Sequence, residues 1–375
     1  MSETVTPARV GVIGCGNISD TYFKNLPTFT DLVVTACADL DLTRARTKAA
    51  HYGLRALTVE ALLADPEVDA VINLTVPASH AEINLAALGA GKHVYTEKPL
   101  GVTRDDGRQA VNLARAKGLR LGAAPDTFLG GGLQTARQLI DEGAIGELVG
   151  FTCNMFSPGH ESWHPDPAFY YQPGGGPLFD MGPYYLTALI HLFGPVRRVT
   201  GSARATLPER TITSKALYGQ KIKVNTPTHI IAALEFASGP LGTLVTTFDV
   251  GLHHTPRFEV YGTDGSLTIH DPNTFGGPIT VRCRWDKDWH ETPLTHGYNT
   301  NMRGLGVADM LAAEREGRPH RANGDVGYHV LDLMHGVLDS ARDGQHYTPE
   351  STCARPAAMP TTEAFSRPAA PAATD

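Results

Sequence analysis

Across residues 1–125 short apolar runs alternate with longer stretches in which apolar positions recur at helical spacing. Arg9–Gly14 (RVGVIG), Leu32–Asp39 (LVVTACAD), Val68–Thr75 (VDAVINLT), His93–Thr96 and Arg120–Ala123 read as strands. Leu42–Tyr52, His80–Ala90 and Arg104–Lys117 read as helices between them. Strands that are apolar along their whole length, separated by helices, predict a parallel sheet covered on both faces.

From Glu147 the pattern changes, and strand-like runs follow one another directly: Leu148–Phe156, Val199–Thr206, Thr228–Phe236, Gly242–Val250, Arg257–Tyr261, Ser266–His270 and Thr280–Trp285. Asp264-Gly265 is a turn signal between two of them. This half reads as an α+β domain with a large open, mostly antiparallel sheet, closed by helices at about Val307–Glu316 and Val326–Arg342. From Arg355 the chain is rich in Pro, Ala and Thr without periodicity, and most of it is expected to be disordered. The expected division is residues 1–125, 126–354 and a tail, 355–375.

Composition narrows the function classes. Thirty-nine acidic against 32 basic residues give a formal charge of −7, which disfavours nucleic-acid and membrane-surface partners. No apolar stretch approaches the roughly 18 residues that span a bilayer. MSETVTPARV lacks the basic start and apolar run of a secretory signal. The five cysteines are scattered without a CxxC pair, as in a reduced, cytoplasmic protein.

Candidate chemistry begins where the first strand turns into a helix, at Gly14-Cys15-Gly16-Asn17-Ile18-Ser19. Glycines there let the backbone approach a pyrophosphate, and the helix N-terminus offers free N–H groups to it. Ser19 stands where a third Gly or Ala is usual. Asp39, at the end of the second strand, has the position and chemistry to accept the adenosine-ribose hydroxyls. Its charge would repel a 2′-phosphate, so NAD is expected over NADP, although Arg44 and Arg46 lie nearby. The first domain is therefore expected to be a Rossmann domain.

The stretch Ala90–Leu100 (AGKHVYTEKPL) resembles the Gfo/Idh/MocA family, the relatives of glucose–fructose oxidoreductase and inositol dehydrogenase. Thr75–His80 (TVPASH), Leu139–Gly146 (LIDEGAIG) and Gly174–Gly182 (GGGPLFDMG) are similar to further segments of that family. The resemblance runs from about residue 8 to 345. It implies two domains with the active site between them, and a homodimer or homotetramer built through the open sheet. It also implies cofactor contacts from Gly14, Gly16, Asn17, Ile18, Asp39, Thr75, Pro77, His80, Glu97 and Lys98. Glu97 would meet the nicotinamide ribose, and Lys98 would hydrogen-bond the reacting hydroxyl. Many members carry Asp with His four residues later. Here Asp180 is followed at that spacing by Tyr184, on the same helical face. In the DxGxY variant Tyr184 would take the acid–base role, beside two positive neighbours, Lys98 and the oxidised nicotinamide.

His160-Glu161-Ser162-Trp163-His164 spells HExxH, a zinc signature that needs one continuous helix. Pro158-Gly159 precede it and Pro165-Asp166-Pro167 follow, which breaks any such helix. No metal is expected. The segment reads instead as a loop entering a sugar pocket, with His160, Trp163, His164 and Tyr170 as substrate candidates. His191 returns to nearly the Asp180 face about 16 Å along the helix, too far for the site, and reads as structural.

The expected activity is NAD-dependent hydride transfer from a carbohydrate or polyol hydroxyl. The alternative with the same residues is a redox-neutral, sulfoquinovosidase-like glycosidase, running oxidation at carbon 3, elimination, hydration and reduction. A non-catalytic dinucleotide sensor would not need the intact set Lys98, Asp180 and Tyr184.

Overall fold

The computed structural model describes residues 6–362, 364 and 365. The first half is a six-stranded parallel sheet: β1 (Ala8–Ile13), β2 (Leu32–Ala38), β3 (Arg55–Leu57), β4 (Ala70–Asn73), β5 (His93–Thr96) and β6 (Leu121–Ala123), in the order β3-β2-β1-β4-β5-β6. Five of these strands are legible as apolar runs. The sixth, β3, is three residues long and too short to carry a pattern; pairing with β2 defines it. The strands are covered by α1 (Ser19–Asn25), α2 (Leu42–Tyr52), α3 (Val59–Ala64), α4 (Pro77–Gly89) and α5 (Arg104–Ala116).

Local chemistry fixes the helix ends. Asp41 accepts the Thr43 N–H at 2.9 Å at the start of α2, and Gly53 closes that helix with φ 70°, the left-handed conformation that glycine adopts without strain. Thr103 and Asp106 form a reciprocal capping box on α5. Pro77 occupies the first turn of α4, where its missing N–H costs nothing.

The second half is built on an eight-stranded sheet, β16-β15-β14-β13-β7-β12-β11-β8. Its strands are β7 (Leu148–Phe156), β8 (Val196–Arg204), β11 (His229–Phe236), β12 (Leu241–Thr247), β13 (Phe258–Gly262), β14 (Gly265–Ile269), β15 (Ile279–Cys283) and β16 (His290–Thr292). A small hairpin, β9 (Glu209–Thr211) and β10 (Lys221–Lys223), stands apart from it. The sheet is antiparallel except at its centre, where β7 and β12 run parallel, from Gly150 beside Leu241 to Phe156 beside Thr247. Helices α6 (Gly131–Asp141), α7 (Gly176–Phe193), α8 (Leu305–Glu316) and α9 (Gly324–Asp343) complete the half. Helices α7 and α9 pack on one sheet face. On the other face β11 alternates buried Ile230, Ala232 and Leu234 with exposed Ile231 and Ala233, the period-2 signature of a sheet covered on one side.

The late helices tie the two halves together. Helix α9 packs on β8 and α7 and also on α5 and β6 of the first sheet. The Ala123 N–H donates to the Ala322 carbonyl at 3.0 Å across that junction. The functional seam therefore lies between two sheets that share α9.

The described part of the tail departs from the expected disorder. Cys353, Pro356 and Met359 are buried, every third residue of an extended ribbon, the repeat of polyproline-like chain. Arg355 pairs with Asp141 at 2.8 Å, and the Met359 N–H donates to Gln134 at 2.8 Å. Phe365 is buried too, and its carbonyl accepts the Thr30 N–H of the first half at 3.0 Å. Residues 363 and 366–375, the remainder of the tail, lie outside the described residues.

Candidate active site

The strand order reverses between β1 and β4, and the loops after these strands form the switch-point crevice in which open α/β sheets bind ligands. Gly14 has φ 101°, and a side chain there would meet the Leu74 carbonyl at 2.6 Å, so only glycine fits against the β4 turn. Gly16 faces open space: a methyl placed on its Cα would have nothing within 4 Å. Ser19 departs from the usual glycine for a visible reason. It is buried, and its hydroxyl donates to the Gly16 carbonyl at 2.7 Å, closing the loop onto the helix. Among the described residues no side chain caps α1 at Ile18, so the N–H groups of Asn17 and Ile18 remain for an anion.

Asp39 accepts the Cys15 N–H at 2.8 Å and the Asp41 N–H at 2.9 Å, with Arg44 at 3.5 Å. The carboxylate is thus locked at the lip of the crevice. Two apolar residues missed in the sequence flank this lip: Leu40 is 100% exposed and Val76 65%. Uncovered apolar side chains beside a glycine loop are what a flat adenine ring would shield. These features fit a dinucleotide: a bare helix N-terminus, a side-chain-free approach at Gly16, and a carboxylate.

On the β4 side, the Thr75 hydroxyl donates to Asn73 at 2.7 Å, and Pro77 opens α4 just beyond. His80 is placed differently from the expected cofactor contact. Its ring is buried, Nδ1 lying 2.6 Å from the Pro99 carbonyl and Nε2 2.9 Å from the Thr75 carbonyl. Burial lowers its pKa. His80 therefore ties the Thr75 turn to the Lys98-Pro99 turn. Glu97 receives the Tyr22 hydroxyl at 2.9 Å and the Lys98 N–H at 3.0 Å, which fixes its carboxylate between α1 and β5.

Across the seam stands α7. The Lys98 ammonium donates to the Asp180 carbonyl oxygen at 2.7 Å and to Asp180 Oδ1 at 3.2 Å, and it lies 5.1 Å from the Tyr184 ring centroid. Pro183 in the same turn has no N–H to offer the Phe179 carbonyl, the neighbour of the carbonyl that Lys98 takes. Burial works against the Lys98 charge. Tyr184, Asp180 and Glu97 outweigh it and hold the ammonium above the ordinary lysine range. Burial would likewise raise the Asp180 carboxyl, but Lys98 and His160 reverse this and hold it below the usual range.

The loop after β7 carries the four substrate candidates, and they separate into two groups. His160 and Tyr170 reach the α7 carboxylate: His160 Nε2 is 3.0 Å from Asp180 Oδ2, and the Tyr170 ring packs on His160 at 3.9 Å. Burial, then Asp180, push the Tyr170 phenol up to about 12. Trp163 and His164 sit farther out, and Trp163 is 62% exposed. The HExxH residues have other partners than a metal. Glu161 turns inward to Arg210 and Tyr171, both at 2.7 Å, and His164 accepts the Asp166 N–H at 3.1 Å. His191 lies in the core, where it meets the Gln134 amide at 3.1 Å.

Arg303, just before α8, was missed. Its guanidinium donates to Asn273 Oδ1 at 2.6 Å and Asn301 Oδ1 at 3.0 Å, and it also contacts the Tyr184 hydroxyl. Tyr184 is thus flanked by Lys98 and Arg303.

A crevice for a dinucleotide facing a Lys–Asp pair and a tyrosine defines a nicotinamide-dependent oxidoreductase. Comparison with known proteins agrees. The NAD-binding Rossmann-fold model of the oxidoreductase family matches residues 8–124, and the Gfo/Idh/MocA C-terminal domain model matches residues 133–268. The chain is 33% identical over 275 residues to a dTDP-3,4-didehydro-2,6-dideoxy-alpha-D-glucose 3-reductase of Streptomyces violaceoruber, covering 72% of this chain and 74% of that one. It is 28% identical to a 1,5-anhydro-D-fructose reductase of Ensifer adhaerens, covering 90% and 97%. A solved levoglucosan dehydrogenase in complex with NADH and levoglucosan shares the fold, with a TM-score of 0.78 at 22% identity over 92% of this chain and 100% of that one. The chain belongs to the Gfo/Idh/MocA family of NAD-binding oxidoreductases. Among the described residues no helix is long and apolar enough to cross a membrane.

Proposed function

We propose that the protein transfers a hydride between NAD and a carbon bearing a hydroxyl on a small carbohydrate or polyol. The observation that carries this is the ammonium of Lys98, pinned by Asp180 beside Tyr184 where the two halves meet. When bound, NAD supplies the hydride acceptor. Gly14, Gly16, Asn17, Ile18, Asp39, Thr75, Pro77 and Glu97 would hold it. Lys98 stays charged and donates a hydrogen bond to the substrate oxygen. Tyr184 exchanges the proton at that oxygen, with Arg303 holding the phenol oxygen from the other side. Tyr170, Trp163 and His164 present the ring faces and polar tips that sugars stack on and bond to. The relatives named as reductases and dehydrogenases of sugars and anhydro sugars support this substrate class.

The same proposal places the protein in the cytoplasm, as a homodimer or homotetramer joined through the outer sheet face, where Ile231 and Leu241 are 45% and 57% exposed.

The test is cofactor balance across free sugars, polyols, anhydro sugars and aryl glycosides. Stoichiometric NADH with an oxidised product, or NADH consumption with the corresponding ketone, is expected. Aglycone release that requires NAD but yields no net NADH would overturn it in favour of the redox-neutral glycosidase.

A further inference from the structure

His160 belongs to the loop after β7, and its ring bonds to the α7 carboxylate. Its Nε2 lies 3.0 Å from Asp180 Oδ2, while the other carboxylate oxygen, Oδ1, takes Lys98 at 3.2 Å. The three groups form one chain in which each Asp180 oxygen has its own donor. The imidazole is boxed in by rings: Tyr170 at 3.9 Å, Phe248 at 4.6 Å and Trp163 at 5.2 Å between centroids. Its Nδ1 is buried and has no hydrogen-bond partner among the described residues. A carboxylate can only accept, so Nε2 carries a proton. The loop is itself anchored. Tyr171 and Arg210 both grip Glu161, the residue next to His160.

We infer that His160 is a positioning residue for the catalytic pair: through Asp180 it fixes the direction of Lys98. An unheld carboxylate could turn about its last side-chain bond and give up its share of the ammonium, leaving Lys98 on the Asp180 main-chain carbonyl alone. With Oδ2 tied to an imidazole wedged among three rings, the carboxylate has one orientation. The loop that borders the substrate also becomes part of the catalytic geometry. This assigns His160 away from direct sugar contact and gives it an effect that no particular substrate hydroxyl would govern.

The inference rests on Lys98 and Asp180 being catalytic, so Lys98→Ala is measured alongside. Steady-state kinetics of His160→Ala and His160→Gln are compared on several alcohols that the wild type turns over, drawn from aldoses, polyols and anhydro sugars. His160→Ala should lower kcat roughly 10- to 100-fold, by the same factor on each alcohol, with NAD affinity unchanged. His160→Gln, which retains a donor for Oδ2, should recover most of the loss. A loss that appears in KM and differs between alcohols would overturn the inference and make His160 a sugar ligand; so would wild-type kcat in a folded variant. Near-normal turnover by Lys98→Ala would instead remove the reading beneath it. Independently of turnover, the imidazole nitrogen resonances of the NAD-bound wild type, with His160 assigned by its loss in His160→Gln, should show a proton on Nε2. An Nδ1–H tautomer would contradict the geometry whatever the substrate.

Discussion

Tyr184 owes its chemical setting to two cations that arrive from different parts of the chain. Lys98 comes from the turn after β5 and Arg303 from the segment before α8, where Asn273 and Asn301 hold it. Removing the phenol oxygen should remove proton exchange with the substrate. Tyr184→Phe is expected to cut turnover at least ~100-fold with NAD binding intact, measured by steady-state kinetics and calorimetry. Arg303→Met should lower turnover about tenfold or more and Arg303→Lys less, because a cation remains; equal effects of the two would assign Arg303 a purely structural role. Asp180 and Tyr184 were legible because their relation is local, four residues on one helix. Lys98 was legible through the resemblance around Glu97-Lys98-Pro99. Arg303 was not, since its bond to Tyr184 exists only after two distant segments pack. His160 stands out along the chain as part of an apparent zinc motif and as a sugar candidate, whereas nothing there announces that its partner is Asp180.

At the scale of an element, the loop spanning residues 157–172 is held by a buried ionic cluster. Arg210 reaches Glu161 at 2.7 Å, the Phe248 carbonyl at 2.9 Å and the Asp249 carboxylate, with Tyr171 on the other side of Glu161. Burial alone would weaken the Arg210 charge, but Glu161, Tyr171 and Asp249 raise its pKa instead. Removing Glu161 takes from Arg210 one of its two carboxylates, leaving Asp249, and leaves the Tyr171 hydroxyl without its acceptor. Glu161→Ala should therefore cost about 2 kcal/mol, read as a lowered denaturation midpoint, and should raise the KM for the sugar as the loop loosens. An unchanged midpoint would mean that the cluster is no more stabilising than an apolar contact. Elements with long, regular patterns were legible, among them β7, β11 and α9. The short pieces β3, β9, β10 and β16 were not, since three residues carry no periodicity and tertiary pairing alone defines them. The tail misled for a related reason. An extended ribbon that buries every third residue in a Pro- and Ala-rich stretch has neither helical nor strand repeat.

Asp126 shows how the whole molecule is joined. It follows β6, yet its carboxylate accepts the N–H groups of Gly304 and Gly306 at 2.9 and 3.0 Å, at the start of α8. Burial pushes its pKa up to about 6, although those bonds oppose the shift. The folded carboxyl thus holds its proton more tightly than the unfolded one. This contribution to stability is complete below the ordinary aspartate range and is lost as pH rises through about 6. Thermal melts of wild type and Asp126→Asn should show the variant gaining on the wild type between pH 4 and 7. Parallel curves over that range would contradict the assignment.

The parallel pair at the centre of the large sheet has a consequence for how the chain reaches this state. As synthesis proceeds, β7 emerges soon after the first sheet is complete. Both of its neighbours, β12 and β13, lie far downstream, past α7, β8 and the small hairpin. Until they arrive, β7 has two open edges and no partner. Such non-local pairing must meet its loop-closure entropy before any contact repays it. The half that binds the dinucleotide can assemble early from local βα units, whereas the half that bears Asp180 and Tyr184 matures late. A nascent chain thus acquires the crevice for its cofactor before the residues that give the bound cofactor anything to react with.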